Sequence, residues 1–360
     1  MRILSRYLIQ RFLAILFYTT IAFIAIFIVV DLIERLDKFL SHDATFTSLF
    51  LYYTYYIPYI ILLTLPVNML LSTLFSIGMM AQHNEIIACH SAGISLYRII
   101  LPVLTLGLLI SIISGAAAEV LVPKTNKKRL DIWRYDIRKE QKQILHVRQR
   151  LALQDENNRQ IYISSYDGSK KRANQVSIIW MKNERISKRV DAKSMSWDEK
   201  NTSWELSDVT ERQMSDSGEV IHRQDLYSYS DTKIFPEDLL ELQTKPEEMN
   251  YAELSRFVDR MLEIGADERK WLVDLYMKIS YPFSNFIIVL FGAPLAARKR
   301  RSGPALGFAI ALLISFIFFL FLRVGQVLGH KGDLEPWLAA WIGNMVFGIG
   351  GIIVMIKARK

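Results

Sequence analysis

The sequence predicts a membrane α-helical fold of six transmembrane helices with an inserted extracytoplasmic all-β domain, of jelly-roll-like, sandwich or open-barrel form. Three observations predict it. Six runs of apolar residues are long enough, at about 20 residues each, to cross about 30 Å of hydrocarbon. A long polar stretch from Glu119 to Lys278 separates the third run from the fourth. Composition is intermediate between a helix bundle and a soluble domain: 51% hydrophobic and 22% charged residues, with a mean hydropathy of +0.18.

The first span runs from Phe12 to Val30 without a charge. Arg2, Arg6 and Arg11 precede it, as in a secretion signal, but no small-residue cleavage site follows. The run meets Asp31, Glu34 and Arg35 instead, so it is read as an uncleaved span. The second span is Ile57 to Met80, the third Ile99 to Ala118, the fourth Ile279 to Ala297, the fifth Pro304 to Leu322 and the sixth Trp337 to Ile356.

Lys and Arg in the short connections set the orientation. One side holds three in residues 1–11, Arg98 alone in 81–98, four in 298–301 and three in 357–360, eleven in all. The other side holds only Arg35, Lys38, Arg323 and Lys331. The bias places both termini in the cytoplasm and the large domain outside it, in a multi-pass membrane protein. Tyr52, Tyr53, Tyr55, Tyr56 and Tyr59 then cluster near the outer end of the second span, as an interfacial belt does. The net charge of +8 is read as this topology rather than as a nucleic-acid surface.

Residues from Lys124 to about Pro246 read as antiparallel β, with seven or eight short alternating runs such as Ile161–Ile163 and Val176–Ile178–Trp180. Turn chemistry punctuates them at 155–158, 167–168, 182–184, 198–201 and 215–218. Those apolar positions either fill a closed core or line an open-sided groove. A helix follows, with Asn250 and Glu253 as a capping box and Gly265 as its stop. Its apolar stripe is Leu254, Phe257, Val258, Met261 and Leu262. The expected domains are therefore 1–122 (three spans and a short cytoplasmic helix at about 82–94), 123–249 (the β domain) and 250–360 (the amphipathic helix and three spans).

Several chemistries find no motif. The chain has no GxxxxGK[ST], no HExxH and no GxSxG, so neither its own ATP site nor a hydrolase is expected. Its six histidines are scattered, and Cys89 is the single cysteine, which excludes an intramolecular disulfide and a cysteine-type zinc site.

Three features inside the helical part point to function. Small residues recur every four at Gly107, Ser111 and Gly115, and at Gly303, Gly307, Ala311 and Ser315. Static packing and a helix contact that parts are both compatible with such stripes. Cations gather at the outer level: Arg35, Lys38, Lys124, Lys127, Lys128 and Arg129, with Arg323 ending the fifth span. They suit an anionic lipid head group, or, with Asp31, Glu34 and Asp37, a set of local salt bridges. The loop between spans two and three, Ile77 to Ile99, carries Asn84 to cap a short helix, Glu85 in its first turn and Gly93 to end it. That helix is either an interfacial turn or a docking element for a cytoplasmic motor.

At this loop, MMAQHNEIIACHSAG, the chain resembles the lipopolysaccharide export permeases of the LptF/LptG (YjgP/YjgQ) type. The resemblance extends to DLIERLDKF after the first span, to Glu119-Val-Leu-Val-Pro123 and to the three-span, β-domain, three-span layout. The loop is slightly closer to LptG. The resemblance implies a permease subunit without catalysis of its own and with no cofactor. It implies a second LptF/LptG-type subunit, and an LptB-type ATPase dimer that uses ATP and Mg. LptC/LptA-type periplasmic jelly-roll proteins would receive the lipopolysaccharide taken from the outer leaflet of the inner membrane. The candidate lipid contacts are Arg35, Lys38, Lys124, Lys128, Arg129, Arg134 and Arg323; of these the resemblance matches Lys38 to a basic position of the family, and Arg129 and Arg134 to within a residue or so of two others. Asn84, Glu85, Ile86, His90 and Gly93 would couple to the ATPase, and Gly303, Gly307, Ala311 and Ser315 would pack the gate. Asp31 stands where some relatives have lysine. Two other readings compete: a mechanical permease for another lipid or lipoprotein, and a membrane-anchored scaffold without transport.

Overall fold

The computed structural model describes residues 2–139, 147–155, 159–168, 170–182, 185–199, 201–215, 218–230, 232, 234–236, 239, 246–263, 268–297 and 304–358. In chain order the elements are helices α1 (Arg2–Ser41), α2 (Phe46–Gln82), α3 (Glu85–Ser91) and α4 (Leu96–Asp131). Six strands follow: β1 (Val147–Asp155), β2 (Arg159–Asp167), β3 (Arg172–Lys182), β4 (Arg185–Asp198), β5 (Ser203–Ser215) and β6 (Gly218–Tyr229). Helices α5 (Tyr251–Glu263), α6 (Arg269–Ala296), α7 (Pro304–Lys331) and α8 (Pro336–Lys357) complete the described elements. The chain divides into two compact units. One comprises Met1–Trp133, Pro246–Tyr251 and Arg269–Lys360, the other Arg134–Lys245 and Ala252–Glu268.

Among the described residues six helices are long and apolar enough to cross a membrane, one for each expected span. Some are much longer than a bilayer requires. At 1.5 Å per residue, the 40 residues of α1 reach about 60 Å. From the sequence the third span ends at Ala118 and β structure is expected from Lys124. Instead α4 continues through Pro123 to Asp131 and widens into a π turn over Ile132–Ile137. The domain boundary expected at 122/123 therefore falls inside a helix. Lys, Arg and Leu from 124 to 130 are good helix formers, and hydropathy marks only where a helix leaves lipid, not where it stops.

In lipid, association rests on packing and on interhelical hydrogen bonds. Around Pro282, α6 is tied to three neighbours. The Tyr281 hydroxyl donates to Leu63 O (2.8 Å), Asn344 Nδ2 to Ser280 O (2.7 Å), and Phe286 N–H to Ser111 Oγ (3.0 Å). Neighbouring polar side chains of this kind let a proline stand within a span. The apolar core joins Met69, Leu70 and Ile77 of α2 to Ile288 and Ala293 of α6, Phe318 of α7 and Phe347 of α8. Glycines bring α7 and α8 close together. A Cβ on Gly329 would lie 2.5 Å from Ala339 Cβ, one on Gly343 would lie 2.8 Å from Leu322 Cδ2, and one on Gly325 would collide with Ala339 O.

The second unit holds one antiparallel sheet in which each described strand pairs with its chain neighbour, in the order β1 to β6. The strand ends bracket the five segments that carry the expected turn residues, and most of those segments lie partly outside the described residues. The expectation is of seven or eight short strands; among the described residues there are six, of 9 to 14 residues each. Polar residues such as Asp191 and Asp208 interrupt the alternation of long strands and make one strand read as two. Register aligns Ile163, Val176, Ala192 and Val209 in one row and Ile161, Ile178 and Val190 in the next. All are at most 6% exposed, so they form a filled core and not an open groove. Trp204 Nε1 donates to Ile234 O (2.8 Å) and the Tyr166 hydroxyl to Pro236 O (3.3 Å), which ties the segment after β6 to the sheet. Leu254, Phe257, Val258 and Met261 of α5 are buried as expected, but Leu262 is exposed. Gly265 lies outside the described residues.

One ion pair sits at the edge of this core. Lys188 Nζ lies 2.8 Å from Glu211 Oε1, with the carboxylate side chain 9% exposed. The hydrogen bond from Lys188 holds Glu211 below the usual carboxylate range, against its burial. Burial alone would lower Lys188, but its bonds to Glu211 and Tyr227 leave it raised. A carboxylate whose folded pKa is depressed stabilises above its unfolded value and loses that contribution as pH falls through the folded one. Thermal melts of the full chain from pH 7 to 3 should therefore fall more steeply in the wild type than in Glu211→Gln. Equal slopes would show that the pair contributes nothing.

Candidate functional site

At the ends of α1, α2 and α4, cations sit on an aromatic cluster. The Arg129 guanidinium lies over Tyr56 (4.2 Å to the ring centroid), Tyr59 (5.7 Å) and Tyr52 (5.9 Å), and Lys128 over Tyr55 (5.4 Å). The cause is in the sequence: helical spacing puts tyrosines 52, 55, 56 and 59 on one stripe of α2, opposite a lysine and arginine pair on α4. Phe39 of α1 and Trp133 complete the cluster, packing edge-on at 5.7 Å.

Arg35 is compensated within α1. Its Nε donates to Asp31 Oδ1 at 2.8 Å, its guanidinium lies over Trp133, and Tyr53 donates to Asp31 Oδ2 at 3.2 Å. The local salt bridge is therefore the reading that holds for Arg35, and Asp31 is an 8% exposed structural anchor. Arg129 differs. Among the described residues no carboxylate pairs with it, and its Nε is buried without an acceptor. Lys38 and Lys124 are exposed on the same helices. Arg134 lies on the π turn, in the other compact unit. Arg323, exposed on α7, donates to Gln326 Oε1 at 2.7 Å.

The loop between α2 and α4 carries the second candidate site. Asn84 occupies the cap position of α3 with φ +59°, a left-handed residue whose side chain makes no cap bond. Gly93 ends the helix as predicted. At φ +78°, its N–H donates to His90 O (2.9 Å) and the Ile94 N–H to Cys89 O (3.0 Å), the paired bonds of a Schellman stop. Glu85 is half-buried, facing the Tyr7 hydroxyl (3.4 Å), with His83 Nδ1 at 3.8 Å. Arg11 donates to Tyr7 at 2.7 Å. Ile86 is 4% exposed and belongs to the chain's own core, while Ile87 is 50% exposed. The available apolar side chain of α3 is thus Ile87, which the sequence reading missed, though the three-residue step from Ile86 to the half-buried Cys89 marks the inward face.

The gate candidates separate. Gly303 lies outside the described residues. A Cβ on Gly307 would meet nothing within 4 Å. Ala311 (0% exposed) and Ser315 (3%) are inside the chain's own helical core. The close contact of α7 is made by Gly325 and Gly329. Their GxxxG spacing was visible in the sequence but lay beside Arg323 and Gln326, where charge drew the reading.

Comparison with known proteins adds lineage to this geometry. Residues 6–357 match the family "Lipopolysaccharide export system permease LptF/LptG". The chain is similar to the lipopolysaccharide export system permease protein LptG of Escherichia coli K12, at 21% identity over 91% of this chain and 89% of that protein. It is likewise similar to LptG of Haemophilus influenzae Rd, at 22% identity over 98% and 96%. LptF of E. coli K12 is 29% identical over 23% of each chain.

Proposed function

The chain belongs to the lipopolysaccharide export system permease LptF/LptG family, and from that premise we propose that it is the LptG-like permease subunit of an ATP-driven lipopolysaccharide exporter. The family assignment is of a permease and not an enzyme, and relatives named both LptF and LptG imply a second permease subunit as partner. The observation that carries the reading is the Arg129–Lys128–tyrosine cluster at the ends of three spanning helices. A guanidinium that no described carboxylate neutralises, held on aromatic faces, suits a lipid phosphate.

The finer assignment is as follows. The β unit is periplasmic and both termini are cytoplasmic. A separate ATPase of the LptB type docks on α3 and supplies ATP hydrolysis with its own Mg. LptC- and LptA-type jelly rolls extend the sheet, for which β1 and β6 each keep one unpaired edge among the described residues. In proteoliposomes holding the chain with its permease and ATPase partners, ATP should release lipopolysaccharide to an added periplasmic acceptor. Release without this chain, or ATPase activity with no release, would contradict the assignment. In the same system Arg129→Glu should weaken lipopolysaccharide retention by about tenfold, whereas Lys357→Glu at the opposite membrane face should not. Equal losses would mean nonspecific charge. For orientation, Lys170→Cys in a background lacking Cys89 should react with an impermeant maleimide in spheroplasts, and Lys357→Cys should not. The reverse pattern would invert the topology.

A further inference from the structure

A cavity of about 250 Å³ lies within the helical unit, between α2, α4, α6 and α7. Its wall is largely apolar, with Leu63, Val122, Tyr281, Phe319 and Leu322 among the lining residues. Arg323 and Lys278 line it too, beside Asp274 and Gln326. These polar groups are fixed rather than free. Gln326 Oε1 accepts from Arg323 Nη1 (2.7 Å), while Gln326 Nε2 donates to Asp274 Oδ1 (3.1 Å). His330 Nε2 lies 3.1 Å from the same oxygen, and Lys278 Nζ donates to Met249 O at 2.7 Å. Asp274 is thus engaged by Gln326 and His330, and the neutral Gln326 holds Arg323 in place without cancelling its charge.

From this geometry we propose that the cavity is a lipid subsite. It takes one acyl chain of a phosphate-bearing lipid, the phosphate resting on Arg323 while Gln326, braced by Asp274 and His330, positions the guanidinium. The proposal rests on the permease reading and deepens it, because it places lipid inside this one subunit. Apolar walls at membrane depth suit a hydrocarbon chain, and two cations against one engaged carboxylate suit a phosphate. The same chemistry could come from transported lipopolysaccharide or from a resident phospholipid.

The test incorporates a benzophenone side chain at Phe319, on the cavity wall, or at Phe316, which is 68% exposed. The chain is assembled with its partner subunits in nanodiscs of phosphatidylglycerol, with or without lipopolysaccharide. Position 319 should capture lipid. Ala118→Phe, which fills the cavity, and Arg323→Gln should each cut that capture by about tenfold, leaving capture at 316 and the melting temperature unchanged. Capture of lipopolysaccharide identifies cargo, and capture of phosphatidylglycerol alone identifies a resident lipid. Absence of capture at 319, or capture indifferent to a stably folded Ala118→Phe, overturns the subsite. If export proceeds without capture at 319, the subsite falls and the permease reading stands. Capture at 319 in a complex that exports nothing leaves the subsite standing and overturns that reading.

Discussion

Glu85→Arg is expected to reduce ATP-driven lipopolysaccharide export by at least about tenfold while the chain stays folded. The wild-type carboxylate lies against Tyr7, which Arg11 braces, with His83 on its other side. Reversing its charge removes an acceptor from that cluster and sets a third basic group beside Arg11 and His83. It also removes the one carboxylate on the proposed docking helix that a basic ATPase groove would engage. A charge-assisted hydrogen bond that is lost and left unreplaced costs about 1.5–3 kcal/mol. The neighbouring isoleucines separate docking from folding. Ile87→Asp adds a charge on the exposed face and should weaken ATPase binding without moving the melting temperature. Ile86→Asp buries an unpaired carboxylate in the helical core and should lower it. Normal export and ATPase association in Glu85→Arg would remove α3 from the coupling path.

The six spans were legible because hydrocarbon imposes a length and a composition that few other folds satisfy. The sheet was legible in where its described strands end, beside residue types that backbone geometry favours in turns, and less so in the number of those strands. The extension of α4 was not legible, since helix propensity past a membrane boundary competes with nothing that hydropathy measures. Among the site residues, the grouping of Arg129 and Lys128 with tyrosines follows from helical spacing on two separate elements. The sequence shows each stripe but not that they face each other. Glu85, singled out by the family resemblance and the loop pattern, opens α3. Its neighbours Tyr7 and Arg11 come from a helix 78 and 74 positions earlier, a contact that no local pattern encodes. Ala311 and Ser315 show the converse. Their spacing is that of a helix interface, but only packing tells which helix occupies it.

That distinction sets the last expectation. Gly325→Leu and Gly329→Leu should each abolish accumulation of folded protein, because a side chain at either position meets α8 or α6 at impossible range. From Gly329 the nearest atoms are Ala339 Cβ at 2.5 Å and Val273 Cγ2 at 2.7 Å, and from Gly325 the nearest is the Ala339 carbonyl, which no rotamer change can move. Overpacking a helix contact costs about 1–3 kcal/mol when side chains can yield, and more when backbone must. Ala311→Leu, wholly inside the core, should follow the same course to a lesser degree. Gly307→Leu should not, since open space surrounds its Cβ. On α7 the exposed side chains Leu306, Leu313, Phe316 and Leu320 continue the lipid- or partner-facing surface that begins beside Gly307. Bulk at Gly307 therefore acts outside the chain. It should leave the melting temperature intact yet lower export by obstructing the contact with the second permease subunit. Melting curves and export, measured on the same four variants, separate the two classes. A destabilised Gly307→Leu, or stable and active Gly325→Leu, would reverse the assignment of which glycines hold the helices together and which face the partner.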